Sequence, residues 1–172
     1  MADTPNLVLT GFMGTGKTAV GRAAAAVLRA DFVDTDAVIA ARHGPIPEIF
    51  AERGESVFRG YEAALADELA ARSGLVISTG GGMLLAEDVA ARLGSTGRVF
   101  CLVASPETIL ARVRADGVAD RPLLDTADPA ARIRELLAER SARYGTFEQI
   151  VTDGRTVDAI TADLLARFAD RD

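Results

Sequence analysis

Lysine, asparagine, cysteine and histidine each occur once in this 172-residue chain, as Lys17, Asn6, Cys101 and His43, and tryptophan does not occur. Each scarcity closes off a class of function. One cysteine and one histidine make neither a zinc cluster nor a Cys–His catalytic pair. Cys101 has no partner for an internal disulfide, and its neighbours in "RVFCLVA" predict a buried strand position; a cytoplasmic protein is expected. No apolar run approaches the roughly 20 residues that span a bilayer, so no membrane partner is expected. "MADTPNLVLTG" lacks a basic segment followed by a long apolar core, so no secretory signal is expected either. The net charge of -6 argues against a nucleic-acid partner, although a local arginine cluster can still hold a small anion. His43, before Gly44 in a polar stretch, reads as an exposed helix-end residue.

What is present is ordinary globular composition, 49% hydrophobic and 26% charged, at a length that suits a single domain spanning 1–172. "LVLT" (7–10), "DFVD" (31–34), "LVIST" (75–79), "RVFCLV" (98–103) and "QIVT" (149–152) read as strands. Their near-continuous apolarity suits a parallel sheet covered on both faces. Helices are expected at about 17–29, 58–72, 86–93, 106–115, 129–143 and 157–169. Pro106 and Pro129 fall in first turns behind the N-caps Ser105 and Asp128. This alternation predicts a three-layer α/β domain. Two segments break the rhythm: short helical pieces from Asp36 to Gly60, and the polar "DGVADRPLLDTAD" from Asp116 to Asp128, which is read as a mobile lid.

"GFMGTGKT" at 11–18 matches G-x-x-x-x-G-K-[ST], with odds of a chance match on the order of one in two hundred. It follows a strand and opens a helix, as its mechanism requires. Glycines turn backbone N–H groups around phosphate oxygens, and the helix N-terminus adds partial positive charge. Lys17 can reach the β- and γ-phosphates of a nucleotide, and Thr18 can offer a hydroxyl to Mg²⁺. Eighteen arginines supply all other side-chain cations, yet the broad guanidinium suits this confined turn poorly. A guanine-reading Asn-Lys-x-Asp is impossible with Asn6 and Lys17 as the sole residues of their types, and "LVISTGGG" ends in glycines rather than a Walker-B acid. A small-molecule kinase remains.

Asp34 and Asp36 in "FVDTD" lie two apart, hence on one face of an emerging strand. One can hold a metal's water shell and the other orient or deprotonate a hydroxyl; alone, they read equally as helix-cap aspartates. "STGGG" (78–82) lets a ligand approach the backbone, or is a flexible turn. Arg59 and Glu62, three apart in "ESVFRGYE", pair across a helical turn, either to fix a guanidinium for a substrate anion or as a surface ion pair. Arg121 in "DRPLL" sits in the lid, where closure can bring it to the transferring phosphoryl group. "ERSARY" adds Arg140 on an arginine-rich helix.

Together "GFMGTGKT", "FVDTD", "IFAERGESVFRGYE", "STGGG", "RPLL" and "ERSARY" resemble the shikimate kinase family in order and approximate spacing. The resemblance implies a P-loop, nucleoside-monophosphate-kinase-like αβα fold with a five-stranded parallel sheet and a lid. It also implies transfer of the ATP γ-phosphate to the 3-hydroxyl of shikimate, with Mg²⁺. Gly14, Thr15, Gly16, Lys17, Thr18 and Ala19 would bind phosphate, and Thr18 and Asp34 would serve the metal, Asp34 through water. Asp36 would hold the shikimate hydroxyls and act as base, Arg59 and Arg140 would clamp the carboxylate, and Gly80, Gly81 and Gly82 would line the site. Phe50 and Phe58 match apolar walls. Arg121 resembles the lid arginine that meets ATP, and Arg114 the residue stacked near adenine. After Tyr144 the chain departs from the family pattern; Arg155 is assigned there to the adenine pocket. A monomer is expected. The rival reading is a kinase of another small hydroxylated acid or cyclitol on the same scaffold.

Overall fold

A computed structural model describes residues 4–116 and 122–170. Five strands, β1 (Asn6–Thr10), β2 (Asp31–Asp34), β3 (Leu75–Ser78), β4 (Gly97–Val103) and β5 (Glu148–Val151), form one sheet in the order β2-β3-β1-β4-β5. Every pairing is parallel. Connections run through α1 (Lys17–Leu28), α2 (Thr35–His43), α3 (Ile46–Arg53), α4 (Glu55–Ala70), α5 (Glu87–Thr96), α6 (Pro106–Asp116), α7 (Pro129–Tyr144) and α8 (Val157–Ala169).

Strand alternation sorts the core into layers. Leu7 and Leu9 pack with Val20, Ala24, Ile160 and Leu164 beneath α1 and α8. Val8 and Ile77 face the other way, into a cluster with Leu65, Leu69, Leu84 and Leu93 under α4 and α5. A third cluster joins Phe12 and Cys101 to Ile109, Val113, Ile133, Leu136 and Tyr144 of α6 and α7. The central strands β1 and β3 are buried throughout, as their apolarity predicts. The edge strands depart from that pattern: β5 buries only Ile150, and β2 none of its four residues fully. At the sheet's edges the helical layers cover the strands less completely, so more of their side chains meet solvent.

Several boundaries also move. α4 begins three residues earlier than expected, because Gly54, at φ 83°, separates it from α3. α5 runs on through Gly94 to Thr96. Asp128 caps α7 by accepting from the Ala131 amide at 3.0 Å, and Ser105 Oγ accepts from the Thr108 amide at 3.2 Å at the start of α6. His43 ends α2 half-buried, its ring stacked flat on Tyr61 at 3.7 Å between centroids. The segment read as a lid is described from residue 122, where a 3₁₀ turn buries Leu124 in the third cluster. Among the described residues no helix is long and apolar enough to cross a membrane. β1 leads through α1 to β2 on one side, whereas its neighbour β3 leads through α5 past β1 to β4 on the other. The connections therefore leave the C-terminal ends of β1 and β3 in opposite directions. That is the crevice where open parallel sheets bind ligands, and the 11–16 turn occupies it.

Candidate active site

The turn after β1 is shaped by its own backbone. A Cβ on Gly11 would strike the Leu102 carbonyl, and Gly16, at φ 98°, precedes α1 in a left-handed conformation that favours glycine. No side chain caps α1 and no acidic residue occupies its first turn, so its N-terminal amides are not claimed by a carboxylate from its own first turn. Lys17 Nζ curls over the turn, donating to the carbonyls of Gly11 at 2.8 Å and Phe12 at 2.9 Å. Thr15 is held inward by donating to the Phe12 carbonyl at 2.8 Å. Thr18 and Ala19 are exposed at the mouth.

Asp34 and Asp36 do not share a face as expected. The strand ends at Asp34 and α2 begins at Thr35, so helical rotation separates the two carboxylates. Asp34 caps α2 by accepting from the Ala37 amide at 3.3 Å, and its other oxygen accepts from the Thr18 hydroxyl at 3.0 Å. The helix-cap reading of Asp34 is met, and the same side chain reaches Thr18 at the mouth of the turn. Asp36 turns toward the segment after β3, where a Cβ on Gly80 would stand 2.5 Å from its Oδ1. Burial raises the Asp36 pKa, Asp34 adds to the rise, and Lys17 and Arg59 oppose it.

The three glycines after β3 each receive one charged side chain. Asp36 lies on Gly80; Arg140 lies beside Gly81, with Nη1 3.7 Å from where a Cβ would be; Arg59 lies on Gly82, with Nη1 2.7 Å from the corresponding point. Three side chains from α2, α4 and α7 thus converge on consecutive residues. The Gly80 amide donates to Thr35 Oγ1 at 3.0 Å, anchoring the segment to α2.

Arg59 is held from two sides. Its Nη1 donates to Glu62 Oε2 at 2.7 Å, and its Nε and Nη2 donate to Glu55 Oε1 at 3.2 and 3.0 Å. Glu62 is only 2% exposed, so this is not the surface ion pair that local sequence equally allowed. Burial pushes its carboxyl up to about 7, opposed by Arg59 and reinforced by Asp36 and Glu55. Phe58 lies against the guanidinium at 5.5 Å and stacks tilted with Phe50 at 4.8 Å, forming an apolar wall. The Arg140 guanidinium sits over the Phe12 ring at 5.2 Å.

Two residues at the site escaped the sequence reading. Arg112 donates to the Gly14 carbonyl at 3.1 Å and to Thr152 Oγ1 and O at 2.9 and 3.0 Å, tying the phosphate turn to the loop after β5. Helical period carries the signal: Arg112 is three residues beyond buried Ile109 and shares its face, whereas Arg114 is exposed. The second is Tyr144, which donates to the Gly81 carbonyl at 2.6 Å. Arg155 is turned to α8, pairing with Asp163 at 3.0 Å and donating to the carbonyls of Val151 and Ala159. Arg121 lies outside the described residues.

A hollow of about 490 Å³ opens at the opposite end of the sheet, lined by Thr4, Arg72, Ser95 and Arg98 among others. Arg98 there donates to the carbonyls of Arg167 and Asp170 at the end of α8. The cleft at the strand C-termini, with its uncapped helix and paired cations, is the better-equipped site.

The family model "Shikimate kinase" matches residues 13–169. A shikimate kinase of Symbiobacterium thermophilum is 41% identical over 169 residues, 96% of this chain and 97% of that one. A solved shikimate kinase from Acinetobacter baumannii, in complex with shikimate, superposes with a TM-score of 0.88 at 35% identity, covering 95% of this chain and 92% of that one. A gluconokinase from Sinorhizobium meliloti, at 20% identity and a TM-score of 0.61 over 97% of this chain and 93% of that one, shares the fold alone.

Proposed function

Because this chain belongs to the shikimate kinase family, we propose that its cleft holds ATP on the phosphate turn and shikimate on the triple glycine, passing the γ-phosphate to the 3-hydroxyl to give shikimate 3-phosphate and ADP. The protein is an ATP-dependent kinase, and the geometry supports the following residue roles. Gly14 to Ala19 and the α1 N-terminus bind phosphate oxygens, and Lys17 balances their charge. Asp36 accepts from a shikimate hydroxyl and serves as base, because the burial that raises its pKa also makes it a better proton acceptor. Arg59 and Arg140 take the carboxylate. Three N–H groups of Arg59 are engaged by Glu62 and Glu55, which leaves the remainder of the fork to a ligand already aimed by those partners.

Thr18 and Asp34 fit Mg²⁺: both are oxygen donors, at the mouth of the phosphate turn, and 3.0 Å apart. Thr18 would hold the ion directly and Asp34 through water; bound there, the ion neutralises charge on the phosphates. On the nucleotide side, Arg112 touches the phosphate turn and the loop after β5, which supports it as a nucleotide contact ahead of Arg114 and Arg155. Arg121 keeps the phosphoryl-stabilising role that family membership implies. We assign the whole chain to one kinase domain, with a substrate region at about 36–62 and a lid at about 116–128, acting as a cytoplasmic monomer.

One observation carries this reading: Asp36, Arg140 and Arg59 converge on Gly80, Gly81 and Gly82. Two guanidinium groups and a hydroxyl-accepting carboxylate suit a small hydroxylated acid and disfavour a neutral cyclitol. A coupled assay of ADP release from ATP·Mg²⁺ is expected to need shikimate; equal turnover without it overturns the reading.

A further inference from the structure

Tyr144 closes α7 one turn after Arg140, so their side chains leave the helix on the same face. Its ring is buried at 4% exposure beside Ile133 and Leu136. The hydroxyl has a single hydrogen, given to the Gly81 carbonyl at 2.6 Å. The Arg140 guanidinium lies at the same glycine, its Nη1 3.7 Å from where a Gly81 Cβ would be, and its charge opposes the rise that burial imposes on the Tyr144 pKa. Phe12 covers the guanidinium from another direction. Tyr144 and Arg140, one turn apart on α7, therefore meet at the middle glycine of the segment after β3.

The geometry points to Tyr144 as a positioning residue for the acceptor half of the site, one that sets the Arg140 guanidinium and the Gly81–Gly82 peptide in register. The inference rests on Arg140 being a carboxylate ligand. A long arginine side chain samples many rotamers unless its head is confined; Arg140 has the Phe12 face against it, and Tyr144 holds the glycine beside it. In a trans peptide the carbonyl and the following amide point in opposite directions. Fixing the Gly81 carbonyl toward Tyr144 therefore fixes the Gly82 amide away from it. Burial raises the Tyr144 pKa while Arg140 opposes the rise, so the hydroxyl stays protonated and remains a donor to Gly81 at neutral pH.

The test is a kinetic cycle on the full-length enzyme with Y144F, R140M and the double variant, measuring KM for shikimate and for ATP with melting temperature alongside. Y144F keeps the ring and removes only the oxygen. It is expected to raise the shikimate KM about tenfold, the value of one well-placed hydrogen bond, with the ATP KM within about twofold. On the R140M background the same change is expected to add a clearly smaller rise, because only the Gly81–Gly82 part of its hold remains to be lost. Three results overturn the inference: an unchanged shikimate KM in Y144F, equal rises in both KM values, or the full rise persisting in the double variant. R140M leaving the shikimate KM unchanged would instead remove Arg140 as the carboxylate ligand, a failure of the functional reading separable from the others.

Discussion

Gly82→Ala adds one methyl group at the place where the proposed carboxylate clamp touches the backbone. The backbone there, at φ -98° and ψ -12°, accepts alanine without strain, so the whole effect comes from contact. The new Cβ would stand 2.7 Å from Arg59 Nη1, 2.9 Å from Nη2 and 3.2 Å from Cζ. An ordinary carbon contact needs about 3.5 Å, so the guanidinium must retreat by about 0.8 Å. Such a shift stretches the 2.7 Å bond to Glu62 to the limit of hydrogen bonding and swings the fork off its target. Loss of one charge-assisted contact is worth about 1.5–3 kcal/mol, which converts to roughly tenfold or more in affinity. Saturation kinetics with each substrate varied in turn should show the shikimate KM raised by about tenfold or more and the ATP KM within about twofold. Gly94→Ala is the control: it sits in α5 with nothing within 4 Å of the added methyl, and its kinetics should match the parent's. A shikimate KM within about twofold of the parent's in Gly82→Ala, or matching rises for both substrates, would refute the placement of Arg59 in the acceptor site.

Lys17→Met should abolish phosphoryl transfer while leaving circular dichroism and melting nearly unchanged, since the carbonyls Nζ donates to, those of Gly11 and Phe12, belong to its own turn; measurable turnover would remove Lys17 from the chemistry. Arg112→Ala is expected to raise the ATP KM about tenfold with a smaller change for shikimate, read from the same saturation curves; an effect confined to shikimate would contradict its nucleotide-side position. Glu62, raised to about 7 from 4.5, binds its proton more tightly folded than unfolded, so its contribution to stability is complete below about 4.5 and is lost as pH climbs through 7. Glu62→Gln should flatten that part of the melting-temperature profile, and an unaltered slope between pH 4.5 and 7 would assign the dependence elsewhere.

Much of this architecture could be read from residue order, and the misses have physical causes. The five strands were legible because a doubly covered sheet writes itself as apolar runs, and "GFMGTGKT" because turn, charge and helix start must coincide. The convergence of Asp36, Arg59 and Arg140 was legible only through resemblance, since nothing local says that α2, α4 and α7 meet. Asp34 and Asp36 were misjudged as sharing a face because strand gives way to helix between them, changing the period from two residues to 3.6. Glu62 looked like half of a surface pair, and its burial is a tertiary effect of the elements packed on α4, which spacing cannot report. Arg112 was not legible, because its bonds to Gly14 and Thr152 cross the fold from α6 and no local pattern announces them.

An arrangement noted at the phosphate turn gives the experimenter a handle. All other side-chain cations are guanidinium groups, so the molecule owns one ε-amine, and it is folded over the carbonyls of Gly11 and Phe12. Amine-selective acylation therefore has one side-chain target, which a nucleotide's phosphates would cover. A lysine-specific protease likewise has a single bond to cut, Lys17–Thr18, at the first step of α1. Labelling or cleavage at that bond becomes a direct, one-signal meter of whether the turn is filled.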